Sequence, residues 1–130
     1  MKSSFSKKFT VDKRMIDNFA DFSSDFNPIH MNEDKAIEAG FKGRVLHGAG
    51  LLGLVSSVIA TEIPGPGSII LEIKSKFKKP AHDGDVILIK IVLEEYKKIN
   101  HVADISFSID DEEGISLCSG TSKVLYKLNN

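Results

Sequence analysis

Apolar and polar positions alternate with period two through most of the second half of the chain. From Ile69 to Phe77 the odd positions are Ile69, Leu71, Ile73, Ser75 and Phe77, and Glu72, Lys74 and Lys76 lie between them. That pattern predicts a half-buried strand, ended by Pro80 and the cluster His82-Asp83-Gly84-Asp85. Val86 to Lys98 is apolar on both faces until Glu94, Glu95, Lys97 and Lys98, as in a long strand that starts buried and ends in solvent. His101 to Asp110 alternates cleanly, with Ala103, Ile105, Phe107 and Ile109 on one face. After a polar turn at Asp110–Gly114, Ile115 to Leu128 reads as the last strand, with Gly120 expected to form a bulge. Short polar connections predict antiparallel pairing, because parallel strands need long crossovers.

The first half reads differently, and the change falls near residues 63–67. Ser6 to Val11 suits an edge strand. Asp12 is placed to cap a helix from Lys13 to about Ser23, with Ile16, Phe19 and Ala20 at helical spacing. Asn32 is placed to cap a short helix through Ala39, stopped by Gly40. Gly48 to Thr61 carries six large aliphatic residues and no charge, which predicts a helix of about four turns buried nearly all round. Pro64 and Pro66 end it. The expected fold class is α+β, with an antiparallel β-sheet wrapped around a long buried central helix. One such sheet leaves free edges, which a second copy of the chain would cover.

Length and composition narrow the class. The 130 residues suit one domain, residues 1–130, because half that length cannot build a core. With 42% apolar and 27% charged residues the chain reads as an ordinary globular protein. A formal charge of -1 argues against nucleic acid as a partner. The single cysteine, Cys118, permits no internal disulfide. The start MKSSFSKKFT lacks the apolar core of a signal peptide. Val45 to Thr61, broken by His47 and glycines, is too short to span a membrane. A cytoplasmic protein with no membrane partner is the expectation.

Candidate chemistry lies between the two halves. In Asp25-Phe26-Asn27-Pro28-Ile29-His30, Pro28 fixes its own φ and pushes Asn27 out of the α region. The chain must turn there, and the turn can bring a carboxylate and an imidazole together for proton transfer near neutral pH. An Asn-Pro turn beside an unremarkable histidine accounts for the same residues. Arg44-Val45-Leu46-His47-Gly48-Ala49-Gly50 then runs into the apolar helix. Free N–H groups at its first turn can receive an oxyanion where glycine allows close approach; Gly48 and Gly50 serving tight packing is the competing explanation.

Taken together, Asp25-x-Asn27-Pro28-x-His30, then Ala36, Phe41 and Val45-x-His47-Gly48, resemble the MaoC-like (R)-specific enoyl-CoA hydratases, which are hot-dog-fold enzymes. The likeness covers residues ~15–60 strongly and Phe77 to Asp85 more loosely. It implies a hydro-lyase that interconverts trans-2-enoyl and (3R)-hydroxyacyl thioesters carried on coenzyme A or an acyl carrier protein. It implies Asp25 and His30 as the catalytic pair acting on a water, and the Gly48 N–H as oxyanion donor. It also implies Ser56 as a residue ordering the site, for which back-bonding to the helix is the alternative. His47 either assists the site or makes a structural hydrogen bond. No cofactor and no metal are expected, and a homodimer with the acyl tunnel near its interface is. Leu46, where a small residue often precedes His-Gly, would narrow the acyl pocket, and Asn32 replaces a frequent aspartate.

The remaining polar residues carry little. His82 and His101 are expected to be solvated, and the histidine spacing forms no compact metal motif. Nothing marks Cys118 as a nucleophile. Lys74, Lys76 and Lys78 share a strand face with Lys79 adjoining; solvation explains them more simply than contact with the phosphates of a carrier. Two other activities fit the fold, an acyl thioesterase and a non-catalytic acyl-thioester-binding module.

Overall fold

A computed structural model describes residues 1–128. In chain order these form β1 (Ser4–Thr10), α1 (Lys13–Ser23), α2 (Pro28–Met31), α3 (Glu33–Glu38), α4 (Gly48–Thr61), β2 (Ile69–Phe77), β3 (Val86–Lys97), β4 (Val102–Asp111) and β5 (Ser116–Leu125). The five strands make one antiparallel sheet in the order β1-β3-β4-β5-β2. Its inner face, formed by Ile87, Ile89, Ile91, Ile105, Phe107, Ile109 and Val124, packs with Leu51, Val55, Val58 and Ile59 of α4 into one core. β4 has the expected periodicity, with its odd residues inside, and β3, read as apolar on both faces, buries Ile87, Ile89 and Ile91 before a bulge between Leu93 and Glu95.

Local rules explain the helices. The Asp12 carboxylate accepts the Met15 N–H at 2.8 Å and starts α1. Asn32 does the same for Lys35 and α3 at 2.9 Å. The one-turn helix α2, which the sequence patterning does not reveal, has Pro28 in its first turn and Asn27 as its cap. Helix α4 has the expected limits, but its burial is one-sided. Gly50, Leu51, Val55, Val58 and Ile59 are buried, whereas Ala49, Gly53, Ser57 and Ala60 face solvent. The uniform apolarity of the sequence hides this asymmetry because the outward face consists of small residues rather than charged ones.

Two expectations for the sheet are corrected. Odd residues of β2 do not share an inner face. A bulge between Ile70 and Glu72 shifts the phase, so that Ile70 and Ile73 pack on the core while Ile69 and Leu71 are exposed. Gly120, by contrast, sits in regular register between Phe107 and Ser75. Its lack of a side chain permits close strand approach: a Cβ there would lie 1.9 Å from the Lys74 carbonyl oxygen. His82 is not solvated either. It lies half-buried in the turn before β3, where the Asp85 carboxylate accepts its backbone N–H at 2.8 Å and its ring Nδ1 lies 3.2 Å away. Burial would raise the Asp85 carboxyl, but Lys42 and His82 outweigh it and hold it below its ordinary value.

Two glycine substitutions are expected to act in opposite directions. Gly120→Ala forces β2 and β5 apart at the Lys74 carbonyl and should cost about 1–3 kcal/mol or more. Gly53→Ala, where a Cβ meets nothing within 4 Å, should stabilise the helix by about 0.5–1 kcal/mol. Urea unfolding of both variants beside wild type checks the pair.

Candidate active site

The Asp25–His30 turn is built by successive caps. Helix α1 ends with Ser24 in the left-handed region, at φ 62°. The Asp25 N–H donates to the Ser23 hydroxyl at 3.2 Å, and Asp25 Oδ1 accepts the Asn27 N–H at 3.1 Å. Asn27 Oδ1 in turn accepts the Ile29 N–H at 3.3 Å. These local bonds hold one carboxylate oxygen of Asp25 and leave Oδ2 pointing at His30, 3.9 Å from its Nε2.

His30 is fixed from its other side. Its Nδ1 lies 2.7 Å from the Val45 carbonyl oxygen. A carbonyl can only accept, so Nδ1 carries the proton and the neutral ring presents an Nε2 lone pair toward Asp25. The ring is buried, at 7% exposure. Burial lowers its pKa below the ordinary 6.5, with His47 and Arg44 adding to the effect, and outweighs the opposite pull of the Val45 carbonyl and Asp25.

Segment 44–46 is itself pinned. Val45 N–H donates to the Ile29 carbonyl at 3.0 Å, and Leu46 N–H to that of Ala81 at 2.8 Å. Asp83 N–H donates to the Arg44 carbonyl at 2.8 Å. The buried Arg44 side chain reaches back, donating from Nε to the His30 carbonyl at 2.6 Å and from Nη2 to Asp17 of α1. Arg44 thus ties the backbone of α2 to α1. Its importance is missed in the sequence reading above, although a lone charge between Gly43 and an apolar run leading into a buried helix is a readable sign of a paired, buried arginine.

His47 makes a structural hydrogen bond, its Nε2–H donating to the Asp25 carbonyl at 2.9 Å. Its ring lies between Phe19, at 4.7 Å, and His30, stacked at 3.8 Å. Nδ1 is buried with no partner among the described residues. Asp25, His30 and His47 offer ligand atoms within 4.8 Å of one another. The stack sets the two imidazole planes only 24° apart, so their in-plane lone pairs run side by side instead of converging on one ion as tetrahedral ligation requires.

Gly48 opens α4, and its N–H donates to no backbone acceptor among the described residues. It borders a cavity of about 310 Å³ that His30, Phe41, Leu46, Leu51 and Phe77 also line, with Lys78 and Lys79 at its rim. A Cβ on Gly48 would lie 3.2 Å from the Phe77 ring. Glycine therefore serves packing against Phe77 and also bares an N–H beside His30. Ser56 is not gathered in: it stands about 12 Å of helix rise beyond Gly48, half-buried, and does not line this cavity. Back-bonding to the helix is made by its neighbour, Ser57 Oγ donating to the Leu54 carbonyl at 2.7 Å. Cys118 is buried, and burial raises its thiol pKa, opposite to what a nucleophile needs. A larger depression of about 540 Å³ carries both signs of charge, with Lys42 and Lys79 beside Asp85, Asp111, Glu112 and Glu113.

An antiparallel sheet wrapped on α4, with this turn beside the helix start, is the hot-dog fold. The (R)-hydratase from A. caviae involved in PHA biosynthesis superposes with a TM-score of 0.91, at 24% identity, over 98% of each chain. The MaoC like domain model matches residues 1–112, so the chain belongs to the MaoC-like domain family. It is similar to an (R)-specific enoyl-CoA hydratase of Rhodospirillum rubrum, with 42% identity over 78 residues, 60% of this chain. That match spans about half, 54%, of the relative's length. An (R)-specific enoyl-CoA hydratase of Aeromonas caviae is 28% identical over 123 residues, 95% of this chain and 90% of that protein. Among the described residues no helix is long and apolar enough to cross a membrane.

Because His30 takes up its proton less readily in the folded state than when unfolded, its contribution to stability is full above pH 6.5. It is lost as the pH falls from there through the lowered folded value. NMR titration of the His30 ring should give a midpoint below 6.5, and acid destabilisation in that range should be shallower in His30→Gln. Arg44→Lys cannot reproduce both guanidinium bonds and should lose about 1.5–3 kcal/mol in urea unfolding.

Proposed function

We propose that the chain is an (R)-specific hydro-lyase that interconverts trans-2-enoyl and (3R)-hydroxyacyl thioesters. One observation carries this reading: Asp25 Oδ2 and His30 Nε2 stand 3.9 Å apart beside an apolar cavity that Gly48 also lines. The separation is too long for a direct hydrogen bond. It suits one water oxygen about 2.8 Å from each.

In hydration, the water oxygen bonds to C3 of the enoyl group, the C2=C3 π pair moves to C2, and a proton is added there. His30 Nε2 or the Asp25 carboxylate takes the proton that leaves the water, and the pair hands that same proton on to C2. Negative charge that develops on the thioester oxygen is met by the Gly48 N–H at the positive end of α4. His47 holds the Asp25 backbone and stacks on His30, so it orients both members of the pair without touching substrate. Ser56 has no part at the reacting centre in this scheme. The reaction needs neither an oxidant nor a reductant, so no cofactor enters it. Coenzyme A or an acyl carrier protein bears the acyl group, with Lys78 and Lys79 at the cavity rim near its phosphates.

The same reading makes the protein a homodimer. Both sheet edges, β1 and β2, are unpaired among the described residues, and Phe22 and Phe26, which flank Asp25, are 86% and 54% exposed. Light scattering at micromolar concentration should give twice the chain mass, and a monomeric mass would refute that assignment.

The activity is tested by loss of enoyl absorbance from crotonyl-CoA, with the product's configuration assigned. Wild type should form (3R)-hydroxybutyryl-CoA, and Asp25→Asn or His30→Ala should each lower kcat by about 10²–10⁴. Release of free thiol instead would identify a thioesterase. Binding without turnover of any enoyl thioester would identify a non-catalytic module.

A further inference from the structure

Leu46 borders a cavity and a groove that share no other lining residue. One is the cavity of about 310 Å³ beside His30 and Gly48. The other is an open groove of about 470 Å³ between α1 and α4, lined by Met15, Phe19, Leu54 and the exposed Phe22 and Gly53, with the polar Arg14 and Asn18 also on it. Leu46 is buried, at 2% exposure, and is held on both sides. Its backbone N–H is bonded to Ala81, and its side chain is seated on Gly50, where a Cβ would come within 3.0 Å of Leu46 Cδ1. The side chain therefore has little room to swing aside without moving a pinned backbone.

We propose that Leu46 is a septum that sets the length of acyl chain this protein accepts. A short acyl group enters the cavity beside His30 and stops at Leu46. Truncating Leu46 joins that cavity to the groove, whose apolar surface at Met15, Phe19 and Leu54 then receives a longer tail. This inference rests on the reading that the first cavity takes the acyl group. Gly50 has a matching role, since its missing side chain is the space that Leu46 occupies.

The test uses saturated thioesters, which cannot be hydrated, so that binding is measured apart from turnover. Dissociation constants of butyryl-CoA and octanoyl-CoA are measured by calorimetry on the full chain. Each added methylene that gains apolar cover should tighten binding about fourfold, equivalent to ~0.8 kcal/mol. Leu46→Ala should therefore move the octanoyl-to-butyryl preference at least about tenfold toward octanoyl relative to wild type. Adding Gly53→Leu, which fills the groove from α4, should cancel the gain. Val55→Ala, buried but bordering neither the cavity nor the groove, should loosen the core to a similar degree and leave the preference unmoved. If Leu46→Ala does not fold, Leu46→Val should give a smaller shift in the same direction. An unchanged preference in a folded Leu46 variant overturns the septum, as does an equal shift in Val55→Ala. Crotonyl-CoA turnover by wild type with an unmoved preference would refute the septum alone. A moved preference without turnover would refute the hydratase alone, and failure of folded wild type to bind either thioester would refute both.

Discussion

Three residues of extended backbone, Arg44 to Leu46, hold the candidate site together. The Val45 carbonyl fixes the proton on His30, the Val45 N–H anchors α2 through Ile29, and the Arg44 side chain clamps the His30 carbonyl against α1. On the opposite side the same segment bonds to Ala81 and Asp83 ahead of β3. A short segment with no sheet partner beyond a single bridge to His82 would be costly to bury with its polar groups unmet. Here the required partners are the parts of the site, so satisfying the backbone and positioning the imidazole are one event.

This arrangement separates rigidity from reactivity. Everything on the Val45 side of His30 is buried and bonded, whereas Asp25 stands at the surface with one oxygen engaged in its turn and the other free. The half that holds the tautomer is dry, and the half that would meet water in the proposed reaction is wet. The stacked His47 adds a cost, a buried ring nitrogen without a partner among the described residues, while its other ring nitrogen holds the Asp25 carbonyl. Gly48 unites two functions, since the space that Phe77 occupies and the bared N–H both follow from the absent side chain.

Much of this was legible in the sequence. Asp12 and Asn32 were readable as caps because capping needs only neighbours three residues away. The alternation in β4 was readable because one face of that strand is uniformly in the core. The Asp25–His30 turn was readable as a turn because Pro28 constrains its own neighbourhood. That Asp25 and His30 form one catalytic pair is what the resemblance to the MaoC-like hydratases implies; the spacing alone leaves an ordinary Asn-Pro turn open. Arg44 is legible as a buried charge, but its partners, Asp17 and His30, are not, because they lie far from it along the chain. The reading of β2 failed at its bulge, since one inserted residue flips every later side chain while the composition stays the same.

By itself, then, the sequence determined what depends on short separations: the limits of α4, the caps, the turn chemistry and the antiparallel hairpins β3–β4 and β4–β5. Tertiary structure alone decided that β2 crosses to the far edge to pair with β5, that one face of α4 is left to solvent, and that Leu46 stands between a cavity and an open groove. The physical reason is the same in each case. Hydrogen bonds and rotamer limits act over a few residues and leave a mark on local patterning. Strand order, one-sided burial and the shape of empty space arise from contacts between distant segments, where any apolar residue of suitable volume satisfies the pattern and only the packed chain selects among them.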